Sequence, residues 1–205
     1  MSDRPATRPA LIRHAPNAVT LARAGLGLIG AIALVQATGA ETDAGAIALS
    51  LASGLLFVLA ALTDALDGWM ARALGVESRL GALLDPIADK VLTGAYLIAF
   101  LVVTGLDPWI AAPVAVILAR DAAVTAARLS RLGRDPAPLP VTAEAKLKTA
   151  LLMVLIALPF AAIGAALPFG AGQTVLEQGY HIWIGGMWLA AAMSVFSGIQ
   201  YRRAR

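Results

Sequence analysis

Residues 44–63 read AGAIALSLASGLLFVLAALT, twenty in a row without a charge. As an α-helix rising about 1.5 Å per residue, such a run crosses a bilayer core of about 30 Å. Residues 24–40 are also uncharged, although Arg23 lies inside the start of that segment. Hydropathy and turn residues together predict six spans, over residues 15–37, 44–72, 80–105, 108–128, 148–167 and 181–201. The second is expected to project past the hydrocarbon. Composition agrees: 59% of residues are hydrophobic, 14% are charged, and mean hydropathy is +0.77. The expected fold is therefore an all-α integral membrane protein with six transmembrane helices. Its 205 residues make one membrane domain, too short for a second large one. There is no cysteine, which excludes a disulfide, a thiolate metal site and a cysteine nucleophile.

Charge placement orients the chain. Residues 1–14 carry Arg4, Arg8, Arg13 and His14 and form a basic tail, ending in a short interfacial helix over residues 10–14. The first apolar run has no small-residue cleavage site after it and reads as a retained helix. The loops at 36–43, 105–108 and 168–180 hold no Lys or Arg, but carry Glu41, Asp43, Asp107 and Glu177. All 16 Lys and Arg lie in the tails, the other two loops or the span ends beside them. The positive-inside rule then puts both termini in the cytoplasm. The ionisable residues within the spans are Arg23, Asp64, Asp67, Asp85, Asp89, Lys90, Arg120 and Asp121. Because spans alternate in direction, all of these fall in the cytoplasmic third. Charges at a single depth suggest a polar cavity open to the cytoplasm, whereas a transmembrane ion path would scatter them. No nucleic-acid partner is expected.

The densest cluster of these charges is DALDGWMARALGVESRLGALLDPIAD, residues 64–89. Asp64, Asp67, Gly68, Ala71 and Arg72 are spaced to share one helix face, and Gly81, Asp85 and Asp89 to share another. The polar turn between them, Val76 to Ser78, is short enough for the faces to meet. Four converging aspartates repel one another unless cations neutralise them. An all-oxygen set suits hard divalent ions, Mg²⁺ or Mn²⁺. Pro86 lies between the last two aspartates, placed either to kink the third span or to sit near its first turn. Gly25, Gly27, Gly30 and Gly94 are expected to be helix-packing positions.

This arrangement, Asp64-x2-Asp67-Gly68-x2-Ala71-Arg72-x8-Gly81-x3-Asp85-x3-Asp89, resembles the full signature of the CDP-alcohol phosphatidyltransferases. The resemblance implies that Asp64, Asp67 and Asp85 are metal ligands, with Asp89 sharing a metal and serving as the general base. It further implies that Gly68 admits the pyrophosphate, that Ala71 and Gly81 leave room for cytidine, and that Arg72 neutralises phosphate. For Gly68 and Gly81, plain helix packing is the competing role. Two metal ions, CDP-diacylglycerol as donor, a homodimer and a bacterial inner-membrane location with a cytoplasmic active site are also implied.

Features outside the signature bear on the acceptor alcohol. Pro16-Asn17-x2-Thr20-x2-Arg23, Asp85-Pro86-Ile87-Ala88-Asp89-Lys90, the run from Arg120-Asp121 to Arg128, and Leu139-Pro140-Val141-Thr142-x2-Ala145-Lys146-Leu147-Lys148-Thr149 resemble segments of the phosphatidylglycerophosphate synthases in that family. Asn17, Thr20 and Arg23 are thus candidate first-helix contacts. Asp121 stands where those enzymes usually have Glu, and Leu152 where they usually have Gln. A phosphate dianion needs several donors, and Arg120, Arg128, Lys146 and Lys148 are available. Arg131 and Arg134 read instead as anchors to anionic headgroups, a role also open to Arg128. The expected reaction moves a phosphatidyl group from CDP-diacylglycerol to sn-glycerol 3-phosphate. The alternatives are a cardiolipin synthase of the same fold, taking phosphatidylglycerol, and a small cation transporter using the aspartates as its ion site.

Overall fold

The computed structural model describes residues 10–74, 79–129, 143–169 and 173–203. Side chains are described over 18–63, 87–127, 147–166, 175 and 177–200. Apart from short turns, the described residues form six helices: α1 (Ala10–Ala37), α2 (Asp43–Leu74), α3 (Arg79–Val103), α4 (Pro108–Leu129), α5 (Ala143–Phe169) and α6 (Gln173–Arg203). Among the described residues, five helices contain a segment long and apolar enough to cross a membrane, in α1, α2, α4, α5 and α6. The remaining one, α3, carries Arg79, Asp85, Asp89 and Lys90 in its first half, and its uncharged stretch covers only residues 91–103.

Most boundaries fall where the sequence puts them, and the differences have local causes. The interfacial helix and first span are one continuous helix from Ala10. The last two helices begin earlier than expected, at Ala143 and Gln173. The segment AEAKL before Lys148 is rich in strong helix formers. The stretch before His181 contains Gly179 and was expected to be loop, but one glycine costs a helix only about 1 kcal/mol. Pro86 lies in the interior of α3, well past its first turn.

The connections follow capping chemistry. At the end of α3 the Gly105 N–H donates to Val102 O (3.1 Å) and the Leu106 N–H to Leu101 O (2.8 Å). This pairing closes a helix around a left-handed residue, and Gly105 has φ 63°. Asp107 then caps α4, its Oδ1 accepting from the Trp109 N–H at 2.9 Å, with Pro108 as the first helical residue. Thr42 caps α2 in the same way, accepting from the Gly45 N–H at 3.1 Å.

Helix α3 is central, packing on α1, α4 and α5, while α6 lies against α4 and α5. Close approach depends on small residues. A Cβ on Gly27 would fall 2.7 Å from Leu92 Cδ1, and one on Gly30 would collide with the Tyr96 hydroxyl. Both bear out the packing expectation, whereas no described atom lies within 4 Å of a Cβ built on Gly25. Tyr96 is fully buried, packs edge-on against Phe57 at 4.9 Å, and donates its hydroxyl to Ser53 O at 2.6 Å. Phe100 continues the cluster to Trp183, whose indole N–H donates to Leu155 O at 2.8 Å. Large apolar side chains such as Leu21, Ile29, Leu55, Ile182 and Phe196 point outward, as a lipid-facing surface requires.

Candidate functional site

The signature stretch is helical over residues 64–74 and 79–89. Asp64, Asp67, Gly68, Ala71 and Arg72 lie in the last three turns of α2, and Gly81, Asp85 and Asp89 in the first three of α3. The i, i+3 and i, i+4 spacings therefore act as helical spacings. Of these eight, only the side chain of Asp89 is described. The other seven lie outside the described side chains, as do Asn17, Arg128 and Lys146. The Asp89 carboxylate is 24% exposed and sits 3.2 Å from Lys90 Nζ, while its backbone carbonyl accepts from the Thr93 hydroxyl at 2.9 Å. In donor chemistry the set fits a hard divalent cation. It consists of four aspartates on two adjoining helical segments, and its described member is open enough to bind.

Beside Asp89 lies an ion cluster assembled from four helices. Its centre is Asp121 of α4, whose side chain is only 7% exposed. Asp121 Oδ1 accepts from Lys148 Nζ of α5 at 2.7 Å and from Arg120 Nη1 at 3.0 Å. Its Oδ2 pairs with Lys90 Nζ of α3 at 2.9 Å. Arg120 also donates through Nη2 to Ser197 Oγ of α6 at 2.9 Å. The arginine lies along α6 at Gly198, where an added Cβ would make van der Waals contact with Arg120 Cγ at 3.4 Å. Buried charge is tolerated only when paired and hydrogen-bonded, and Asp121 is paired on both oxygens. The cluster gathers Lys90 and Asp121, near the middles of α3 and α4, with Lys148 near the start of α5 and Ser197 near the end of α6.

Of the four expected acceptor cations, Arg120 and Lys148 are thus brought together on one carboxylate. Thr20 and Arg23 are both buried in α1, one turn apart. Sequence reasoning did not choose Lys90, Asp121 or Ser197 as site residues. For the first two a signal existed, because each is an intramembrane charge next to a chosen residue. Ser197 carried none.

A family model described as CDP-alcohol phosphatidyltransferase matches residues 13–196. The chain belongs to the CDP-alcohol phosphatidyltransferase family. Among its relatives in the family is a CDP-diacylglycerol–glycerol-3-phosphate 3-phosphatidyltransferase from Cereibacter sphaeroides. That protein is 35% identical over 174 residues, covering 72% of this chain and 78% of the relative. One of the same name from Rickettsia typhi is 36% identical over 150 residues, covering 73% of this chain and 78% of the relative. The fold resembles that of the Mycobacterium tuberculosis phosphatidylinositol phosphate synthase crystal structure with CDP-DAG bound. The TM-score is 0.59 at 21% identity, covering 90% of this chain and 83% of that one.

Proposed function

We infer that this chain transfers a phosphatidyl group from CDP-diacylglycerol to sn-glycerol 3-phosphate, giving phosphatidylglycerophosphate and CMP. The observation that carries the reading is the 35% identity, over most of both chains, to a relative named for that reaction. Asp64, Asp67, Asp85 and Asp89 are the residues to hold Mg²⁺ or Mn²⁺, as two ions. Bound there, the metal supplies neutralisation of the pyrophosphate and alignment of the attacking and leaving oxygens.

The chain's own residues do the rest. Arg72 offsets phosphate charge, Gly68 admits the pyrophosphate, and Ala71 and Gly81 leave space for cytidine. Asn17, Thr20 and Arg23 contribute from the first helix. Asp89 takes the proton from the acceptor hydroxyl, whose oxygen bonds to the lipid-side phosphorus. The phosphorus–oxygen bond to CMP breaks, and CMP departs with the electron pair. Arg120 and the neighbouring Arg128 and Lys146 furnish positive charge for the acceptor phosphate, and the buried Lys148 contributes through Asp121. The three cations around Asp121 favour a phosphorylated acceptor. In this reading the protein is a homodimer in the bacterial inner membrane, with six spans, both termini and the active site facing the cytoplasm.

The test is a panel of acceptors. Purified protein with labelled CDP-diacylglycerol and Mg²⁺ is offered glycerol phosphate, inositol phosphate, serine or phosphatidylglycerol separately. Only glycerol phosphate should release CMP. Release with phosphatidylglycerol alone would establish the cardiolipin reaction instead, and metal flux without CMP release would establish transport.

A further inference from the structure

The three cations on Asp121 are not equivalent. The side chain of Lys148 is 2% exposed, that of Arg120 16%, and that of Lys90 28%. Lys148 spends its charge inside the protein, 2.7 Å from Asp121 Oδ1. Lys90 stands at the open edge, with its ammonium between two carboxylates, 3.2 Å from Asp89 Oδ2 and 2.9 Å from Asp121 Oδ2. An ammonium has three N–H donors in fixed tetrahedral directions. That is one more than the two carboxylates described beside it, so the ammonium can also donate to a ligand oxygen.

We propose that Lys90 is a phosphate-contacting residue of the acceptor subsite, set in place by Asp121, which the buried Lys148 fixes from the α5 side. The inference rests on the glycerol phosphate reading above and adds a residue to it. Three cations against the carboxylates of Asp121 and Asp89 leave a charge of +1. A phosphomonoester at neutral pH carries about −1.5 to −2, so the cluster attracts a phosphate that enters it. Lys90 also ties that phosphate to the base, because the same ammonium touches Asp89. An acceptor held by Lys90 has its phosphate anchored next to the carboxylate that must take its hydroxyl proton. Lys148 and Asp121 are then positioning residues, with Lys148 acting through Asp121 and Asp121 through Lys90. Arg120, braced by Ser197, holds the other side of the same carboxylate.

The test uses the full chain in detergent with CDP-diacylglycerol and Mg²⁺, and measures KM for each substrate separately. Lys90→Met should raise KM for glycerol phosphate about tenfold or more, and leave KM for CDP-diacylglycerol within about twofold. Lys90→Arg, which keeps a cation, should return KM for glycerol phosphate to within about threefold of wild type. Asp121→Asn should show the same split. If that variant does not fold, the partly exposed Lys90 still decides the matter. Equal changes in both KM values for Lys90→Met, or none, overturn the inference alone. A wild-type protein that releases no CMP with glycerol phosphate overturns the acceptor reading and this inference with it.

Discussion

Asp121 and Asp89 are both carboxylates beside Lys90, but their surroundings give them different work. Asp121 is nearly enclosed and held by three cations, whereas Asp89 is more open and meets only Lys90 among the described side chains. A proton acceptor needs access to its substrate, which is why the open carboxylate is the one proposed as base. Asp89→Asn is expected to abolish CMP release while the protein keeps its thermal midpoint in detergent; full activity in that variant would refute the base assignment. Lys146→Ala is expected to raise KM for glycerol phosphate several-fold more than KM for CDP-diacylglycerol, read from the two saturation curves. The aspartate signature was legible because its spacing is a property of single helices. The Lys90–Asp121–Lys148 cluster was not, because its members come from three helices and meet only through tertiary packing. Two of them were visible as charges at odds with their apolar surroundings, and that incongruity is as far as a linear reading reaches.

At the scale of elements, the helices follow from uncharged runs of bilayer length, and their ends from caps such as Thr42, Gly105 and Asp107. Glycines at 170, 172 and 179 hide the early start of α6 from a linear reading. Packing of α3 against α1 and α2 turns on Tyr96, whose hydroxyl donates to Ser53 O and lies against Gly30. Tyr96→Phe deletes that bond and leaves a buried carbonyl short of one partner. It should cost about 1 kcal/mol, seen as a lower thermal midpoint with KM values unchanged. Gly30→Leu forces a large side chain into the α1–α3 contact and should cost about 1–3 kcal/mol by the same measurement. Since α3 carries both Asp89 and Lys90, Gly30→Leu should also lower kcat, and Tyr96→Phe should not.

For the molecule as a whole, the proposal of one polar region at one depth is what separates an enzyme from a path through the membrane. The chain has no cysteine, so single cysteines can report its sidedness. In sealed inside-out vesicles, a membrane-impermeant maleimide should label a cysteine placed at Arg8 and spare one placed at Asp107; the reverse pattern would invert the assigned orientation. EDTA should stop turnover, and added Mg²⁺ should restore it. The proposed activity is group transfer between two substrates. The direct measurement supplies labelled glycerol phosphate with CDP-diacylglycerol and counts label entering the lipid phase against CMP released. The two should appear in a one-to-one ratio and depend together on divalent metal. CMP released with no label in lipid would contradict it.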